Sequence, residues 1–264
     1  MSAERLSFDL LAGWADTLAD AARTAGDVIL RIYNSDFAVT TKADASPVTE
    51  ADQAAERVVL AALEALSPKL PVVAEEQVAA KGFPDFAGNT FWLVDALDGT
   101  KEFIQRRGDF TVNIGLVVDG VPALGVVHAP VRNETFVGVV LDDRRQASVT
   151  RGGATQTIRC RQRPARVAVV GSRSHQVKGP WEAFLARHDV AETVSVGSSL
   201  KFCLVAGGKA DLYPRFGPTS EWDTAAGHAV LRAAGGRVHD FDGAELRYKK
   251  SGFRNGHFLA EGPV

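Results

Sequence analysis

The chain has 264 residues, 45% of them hydrophobic, with 30 Lys and Arg against 32 Asp and Glu, room for one large domain or two modest lobes. Near-neutral charge excludes a general attraction for a nucleic-acid polymer, which needs clustered positive charge. Cys160 and Cys203 are too few for a disulfide framework, Glu4, Arg5 and Asp9 interrupt any signal-peptide core, and no apolar run is long enough for a transmembrane segment, so a soluble, cytoplasmic protein is expected.

Leu11, Trp14, Leu18, Ala21, Ala25, Val28 and Ile32 recur at helical spacing and predict a helix over about residues 9–33. Thr49, with Asp52 three residues on, is a variant capping box that opens a second helix, stopped by Ser67-Pro68. Short apolar runs then read as strands: Pro71 to Ala74, Phe91 to Val94, Thr111 to Val118, Val121 to Val127 and Glu134 to Leu141. Asp119-Gly120 marks a two-residue hairpin between the third and fourth of these. The charged stretch Arg159 to Arg166 makes a lobe boundary, with an α+β lobe over 1–160 and an α/β lobe over 161–264. In the second lobe we expect strands at Val167 to Val170 and Thr193 to Val196. Helices are expected at Trp181 to His188, at Ser199 to Ala206, and from Trp222-Asp223 to Gly235-Gly236.

The densest chemical signal is Asp95-Ala96-Leu97-Asp98-Gly99-Thr100, which follows the strand Phe91 to Val94. A carboxylate at a buried strand end is held rigidly, and a tight turn can aim Asp98 at the same point. The Leu97 carbonyl adds an oxygen, and Mg²⁺ takes oxygen ligands. Gly99 and Thr100 would present backbone N–H groups at a helix start, where phosphate binds. The bland alternative is a plain Asp-Gly turn, as expected at Asp119-Gly120 and Asp242-Gly243. Glu75-Glu76 after its own strand could be a solvated acid pair, and Asp223 and Asp52 could be helix caps. Their conjunction carries the weight, because other machinery is missing. There is no G-x-S-x-G elbow and no phosphate-binding P-loop. Cys160 and Arg166 have the C-x₅-R spacing of cysteine phosphatases but no glycine between them, and Asp240-Phe241-Asp242 is followed by Ala244 where Thr or Val is required. The six histidines show no zinc spacing.

These residues resemble the inositol-monophosphatase superfamily of Mg²⁺-dependent, lithium-sensitive phosphatases, and within it the 3′(2′),5′-bisphosphate nucleotidases. The resemblance runs through Ser46 to Asp52, Ala74-Glu75-Glu76, Trp92 to Phe103 and Asp109 to Asn113. It continues through Ser172 to His175, Gly197 to Lys201, Tyr213 to Thr219 and Trp222 to Gly227. Ala96 departs from the proline usual there. The resemblance implies a layered αβαβα sandwich with the active site between two lobes. It implies two or three Mg²⁺ ions held by Glu75, Asp95, the Leu97 carbonyl, Asp98 and Asp223, with Asp52 and Thr100 orienting and deprotonating the attacking water. Gly99 and Thr100 would hold the transferred phosphate. Ser198, Lys201, Arg215 and His175 would contact a nucleotide bisphosphate. The implied reaction cleaves the 3′-phosphate of 3′-phosphoadenosine 5′-phosphate, a step in sulfur assimilation and nucleotide recycling. Two alternatives stay open: an inositol, sugar or histidinol monophosphate as substrate, and a silent metal and phosphate sensor. Lys201 as a solvated helix lysine and Arg215 as a loop surface charge are the competing bland readings. Oligomeric state and peripheral membrane association also stay open.

Overall fold

The computed structural model describes residues 6–41, 47–173 and 177–264. Helix α1 (Phe8–Tyr33) starts where the Ser7 side chain accepts the Leu10 N–H at 3.2 Å, and it buries Leu11, Trp14, Leu18, Ala22, Ala25 and Ile29 along one face. Strands β1 (Val39–Thr41) and β2 (Pro47–Thr49) form a short antiparallel pair. The capping box then opens α2 (Glu50–Ala65): Asp52 Oδ2 accepts the Thr49 N–H at 2.8 Å, and Thr49 Oγ1 accepts the Ala51 N–H at 3.2 Å.

A seven-stranded sheet follows. Its strands are β3 (Val72–Ala74), β4 (Phe91–Asp98), β5 (Thr111–Val118), β6 (Val121–Ala129), β7 (Glu134–Leu141), β8 (Arg144–Arg151) and β9 (Ala154–Thr157), in spatial order β3 to β9. Only β3–β4 is parallel; the rest is an antiparallel meander. Asp119 and Gly120 turn the β5–β6 hairpin with φ of 51° and 79°, the left-handed geometry that a two-residue hairpin demands. Two short helices, α3 (Glu75–Lys81) and α4 (Thr100–Ile104), leave the ends of β3 and β4.

The second sheet has five strands. Strand β10 (Val167–Ser172) runs to α5 (Lys178–Leu185), β11 (Val190–Val196) to α6 (Leu200–Ala206), and β12 (Leu212–Arg215) to a short strand β13 (Thr219–Ser220). After α7 (Ala225–Ala233) come β14 (Arg237–His239), β15 (Arg254–Asn255), which pairs with β13, and β16 (Phe258–Glu261). The spatial order is β11-β10-β12-β16-β14.

Together these make five layers. α1 and α2 cover one face of the large sheet, and α6 and α7 lie between the two sheets. α5 closes the outer face of the small sheet over Val167, Val169 and Leu212. The αβαβα sandwich expected from the sequence is present. Its middle layer packs closely because Gly115, Gly125 and Gly138 are register neighbours on β5, β6 and β7. A Cβ at Gly125 would lie 2.1 Å from the Ala226 carbonyl oxygen, and one at Gly138 would lie 2.4 Å from the Val230 Cα. The α7 backbone therefore rests on bare sheet backbone.

Several boundaries differ from expectation. β8 and β9 are additional strands, and their polar sequence hides them. α5 spans 178–185 rather than 181–188, and β11 begins at 190 rather than 193. α7 begins at Ala225, so Asp223 lies in the turn before it, where its Oδ2 accepts the Ser220 N–H at 2.8 Å. Glu75 and Glu76 open helix α3 rather than a loop. Among the described residues no helix is long and apolar enough to cross a membrane.

Candidate active site

A cleft of about 530 Å³ opens where the ends of β4 and β12, the starts of α3 and α4, and the turn before α7 converge. Glu75, Asp95 and Asp223 each bring a carboxylate oxygen within 4.8 Å of the others. They come from a helix start, a central strand and a turn, so three separate elements aim at one point. Oxygens on a Mg²⁺-sized cation sit about 2.1 Å from it, hence about 4.2 Å apart across it. The three oxygens lie within a span of that order, and their donor chemistry fits a hard cation.

The electrostatics say the same. Burial, then the charges of Glu75, Asp98 and Asp223, push the Asp95 carboxyl well above the usual carboxylate range. Asp223 is raised likewise by burial and then by Asp98 and Glu75. Like charges out of water disfavour joint ionisation, and a cation relieves that conflict. The Asp95 turn is closed by its own side chain, since Oδ1 accepts the Leu97 N–H at 3.0 Å. That bond restrains the turn in which Ala96 lies.

Asp98 sits beside this cluster and is held both by the neighbouring strand and from the second half of the chain. Its Oδ2 accepts from Ser198 Oγ at 2.7 Å, the Ser199 N–H at 2.7 Å and Asn113 Nδ2 at 3.3 Å. Ser198 also bonds Thr111, so this expected substrate contact is committed to the protein through its hydroxyl. Burial raises the Asp98 carboxyl, against the opposing pull of Ser198 and Lys201.

Asp52 and Thr100, 48 residues apart, meet: Thr100 Oγ1 lies 3.1 Å from Asp52 Oδ1 and 3.4 Å from the Leu97 carbonyl. Asp52 Oδ2 is occupied by Thr49, which fixes the carboxylate plane. Gly99 takes φ of 96° to start α4 directly beneath the cleft. A side chain there would meet the Asp109 carbonyl at 3.1 Å.

Four cations line the cleft, Lys101, Lys201, Arg215 and Arg254, and of these Lys201 and Arg215 are buried. Lys201 is 3% exposed, and burial lowers its ammonium to about 8. Its Nζ donates to the Ser198 carbonyl and lies 5.4 Å from the Tyr213 ring centre. Arg215 is 8% exposed and donates to the Gly217 and Pro218 carbonyls at 3.2 and 3.0 Å. Neither is a solvated surface charge, so both bland readings are corrected. His175 lies outside the described residues.

Other sequence features resolve plainly. Cys160 is half-buried with its thiol pushed up to about 12, the opposite of an activated nucleophile. Asp240 accepts the Asp242 and Ala244 N–H groups in a turn. Sequence reasoning missed Glu56, Asn113, Ser199 and Arg254. Of these, Glu56 had a readable signal: it stands four residues after Asp52, on the same face of α2.

The chain belongs to the inositol monophosphatase family, whose model matches residues 11–262. The 3′(2′),5′-bisphosphate nucleotidase CysQ of Escherichia coli strain K12 is 47% identical over 88% of this chain and 93% of its own length. CysQ of Haemophilus influenzae is 34% identical over 91% and 90%. Among solved structures, CysQ from Bacteroides thetaiotaomicron superposes with a TM-score of 0.79 at 38% identity, covering 95% of this chain and 97% of that one. An inositol monophosphatase from Zymomonas mobilis gives 0.73 at 28% identity, covering 98% and 95%.

Proposed function

We propose that this chain is a Mg²⁺-dependent 3′(2′),5′-bisphosphate nucleotidase that hydrolyses the 3′-phosphate of 3′-phosphoadenosine 5′-phosphate to give AMP and phosphate. The observation that carries the reading is the division of the cleft between a convergent carboxylate set and two buried cations, Lys201 and Arg215. One phosphate can be cleaved at the acids while the other is held by the cations. The 47% identity to a CysQ nucleotidase supports the same substrate.

Glu75, Asp95, Asp98, Asp223 and the Leu97 carbonyl are the groups that would hold two or three Mg²⁺ ions. Bound there, Mg²⁺ polarises the phosphoryl group and makes water a stronger nucleophile. Asp52 keeps the Thr100 hydroxyl donating toward its own Oδ1, which leaves the Thr100 oxygen lone pairs to accept a proton from the attacking water. As the water proton reaches the Thr100 oxygen, the hydroxyl's own proton moves to Asp52; the water oxygen bonds phosphorus, the bond to the ribose 3′-oxygen breaks, and that oxygen takes a proton from solvent. The N-terminal N–H groups of α4 receive the transferred phosphate, and Gly99 leaves them uncovered. Lys201 and Arg215 fix the retained phosphate. No phosphoenzyme is invoked, which agrees with two inert thiols. Those free thiols support action in the cytoplasm.

The test compares kcat/KM for the nucleotide bisphosphate and for inositol 1-phosphate, with Mg²⁺ and with excess chelator. The expected result is a clear preference for the bisphosphate that chelation abolishes. Preference for the inositol ester would transfer the same chemistry to another substrate. No turnover of either would leave a phosphate-binding protein.

A further inference from the structure

The Glu56 carboxylate is buried, and both of its oxygens are spent on one task. Oε2 accepts the Glu76 N–H at 2.8 Å and Oε1 accepts the Gln77 N–H at 3.1 Å. These are the second and third residues of α3, the same donors that a helix N-cap side chain would satisfy. The residue at the cap position itself is Ala74, which makes no side-chain cap bond and is buried in the core at the end of β3. A local cap is therefore impossible, and a carboxylate from α2 replaces it across 20 residues of sequence. The first residue of α3 is Glu75, one of the three carboxylates that converge in the cleft.

A seven-residue helix is too short to hold itself. What starts α3 sets the backbone direction of Glu75, and so the direction of its carboxylate. Asp52 and Glu56 are one turn apart on α2. The first reaches Thr100 and the second reaches the start of α3, so one helix face supports both the proton acceptor and a metal-ligand candidate.

We propose that Glu56 is a positioning residue: by capping α3 it holds Glu75 in the geometry that completes the cation site. The inference rests on the Mg²⁺ reading of that site. Partners that orient metal ligands typically change metal affinity by about 10- to 100-fold when removed.

The test uses the full chain and Mg²⁺ alone, titrated by calorimetry, with Mg²⁺ activation of turnover as a second readout. Glu56→Ala should raise the Mg²⁺ Kd by about 10- to 100-fold. Its kcat at saturating Mg²⁺ should change far less. Glu56→Gln keeps one carbonyl oxygen for one N–H and should fall between Glu56→Ala and wild type. Leu63→Ala, a cavity in the same helix, should lower Tm while leaving the Mg²⁺ Kd unchanged. If Glu56→Ala does not fold, Glu56→Gln carries the test, and its Kd has to rise. A wild-type Kd in the Glu56 variants overturns the inference, as does an equal rise in Leu63→Ala. A wild-type protein that binds no Mg²⁺ overturns the metal reading, and this inference with it.

Discussion

At the residue scale, the buried carboxylates oppose folding when no cation is present. A carboxyl whose folded value is raised contributes stability at low pH and loses it as pH rises through that value. Asp95 and Asp223 both titrate in that sense. In excess chelator, the stability that this pair contributes should therefore decline as pH rises. Asp95→Asn should flatten that decline, melt above the wild type at pH 8, and lose both the Mg²⁺-dependent rise in Tm and most of its turnover. A variant that kept the Mg²⁺ rise would remove Asp95 from the cation site. Arg215 permits a second prediction. A charge-assisted contact contributes about 1.5–3 kcal/mol, so Arg215→Ala should lower kcat/KM for the bisphosphate by about 10- to 100-fold. A monophosphate lacks the second group and should change little. The variant also orphans the Gly217 and Pro218 carbonyls, so some stability goes as well, and the ratio of the two substrates isolates recognition from that loss. An unchanged ratio would show that Arg215 does not read the retained phosphate.

At the element scale, what the sequence discloses depends on whether a segment's partner is local. The Thr49–Asp52 box is readable because both partners lie within one turn. The β5–β6 hairpin is readable because Asp119-Gly120 carries its own conformational requirement. β8 is opaque, because Arg144-Arg145-Gln146 has no apolar alternation and becomes a strand only by pairing with β7. The start of α3 is opaque for the same reason: its cap comes from Glu56, 20 residues away, and although Glu56 shares a helix face with Asp52, nothing local to either segment names the other as its partner. The Asp95–Thr100 turn was legible as a candidate, whereas the Asn113 and Ser199 contacts that orient Asp98 exist only after the sheets assemble. The glycine stripe yields the test at this scale. Gly125→Ala puts a methyl against the Ala226 carbonyl, so α7 has to lift or slide. Overpacking of this kind costs about 1–3 kcal/mol. Because Asp223 sits in the turn leading into α7, the variant should need more Mg²⁺ for half-maximal activity as well as melting earlier. A lower Tm with unchanged Mg²⁺ demand would show that the Asp223 turn does not follow the helix.

At the scale of the whole molecule, two buried histidines weaken the fold in acid. Burial lowers His128 to about 4, and it lowers His228 well below its ordinary value. The unfolded chain takes up a proton at each near pH 6.5, so the stability that these histidines contribute is complete above that pH and is lost below it, for His128 as pH falls toward 4. For His128 the gap corresponds to about 3 kcal/mol. Its Nδ1 lies 2.9 Å from Thr135 Oγ1, a partner that glutamine can keep. His128→Gln should therefore lose less unfolding free energy than the wild type between pH 7 and 4.5, measured by urea titration. Equal losses would mean that His128 charges freely in the folded protein. The resemblance made the layered architecture legible, but not how tightly the two sheets are joined. α6 and α7 fill the space between the sheets, with the α7 backbone against the three glycines.

That close seat has a consequence for the cleft. Packed interiors resist compression, and backbone resting on backbone leaves no side chain to swing aside. The glycine-seated helix follows directly on the Asp223 turn, and the neighbouring middle-layer helix α6 carries Lys201. Asp223 and Lys201 are therefore anchored to one wedge, whereas Glu75 and Asp95 stand on the side of the large sheet and Arg215 on the small one. A shift of α7 on its glycine seat would therefore carry Asp223 away from Glu75 and Asp95, and the packing of α6 against α7 ties the place of Lys201 to the same seat.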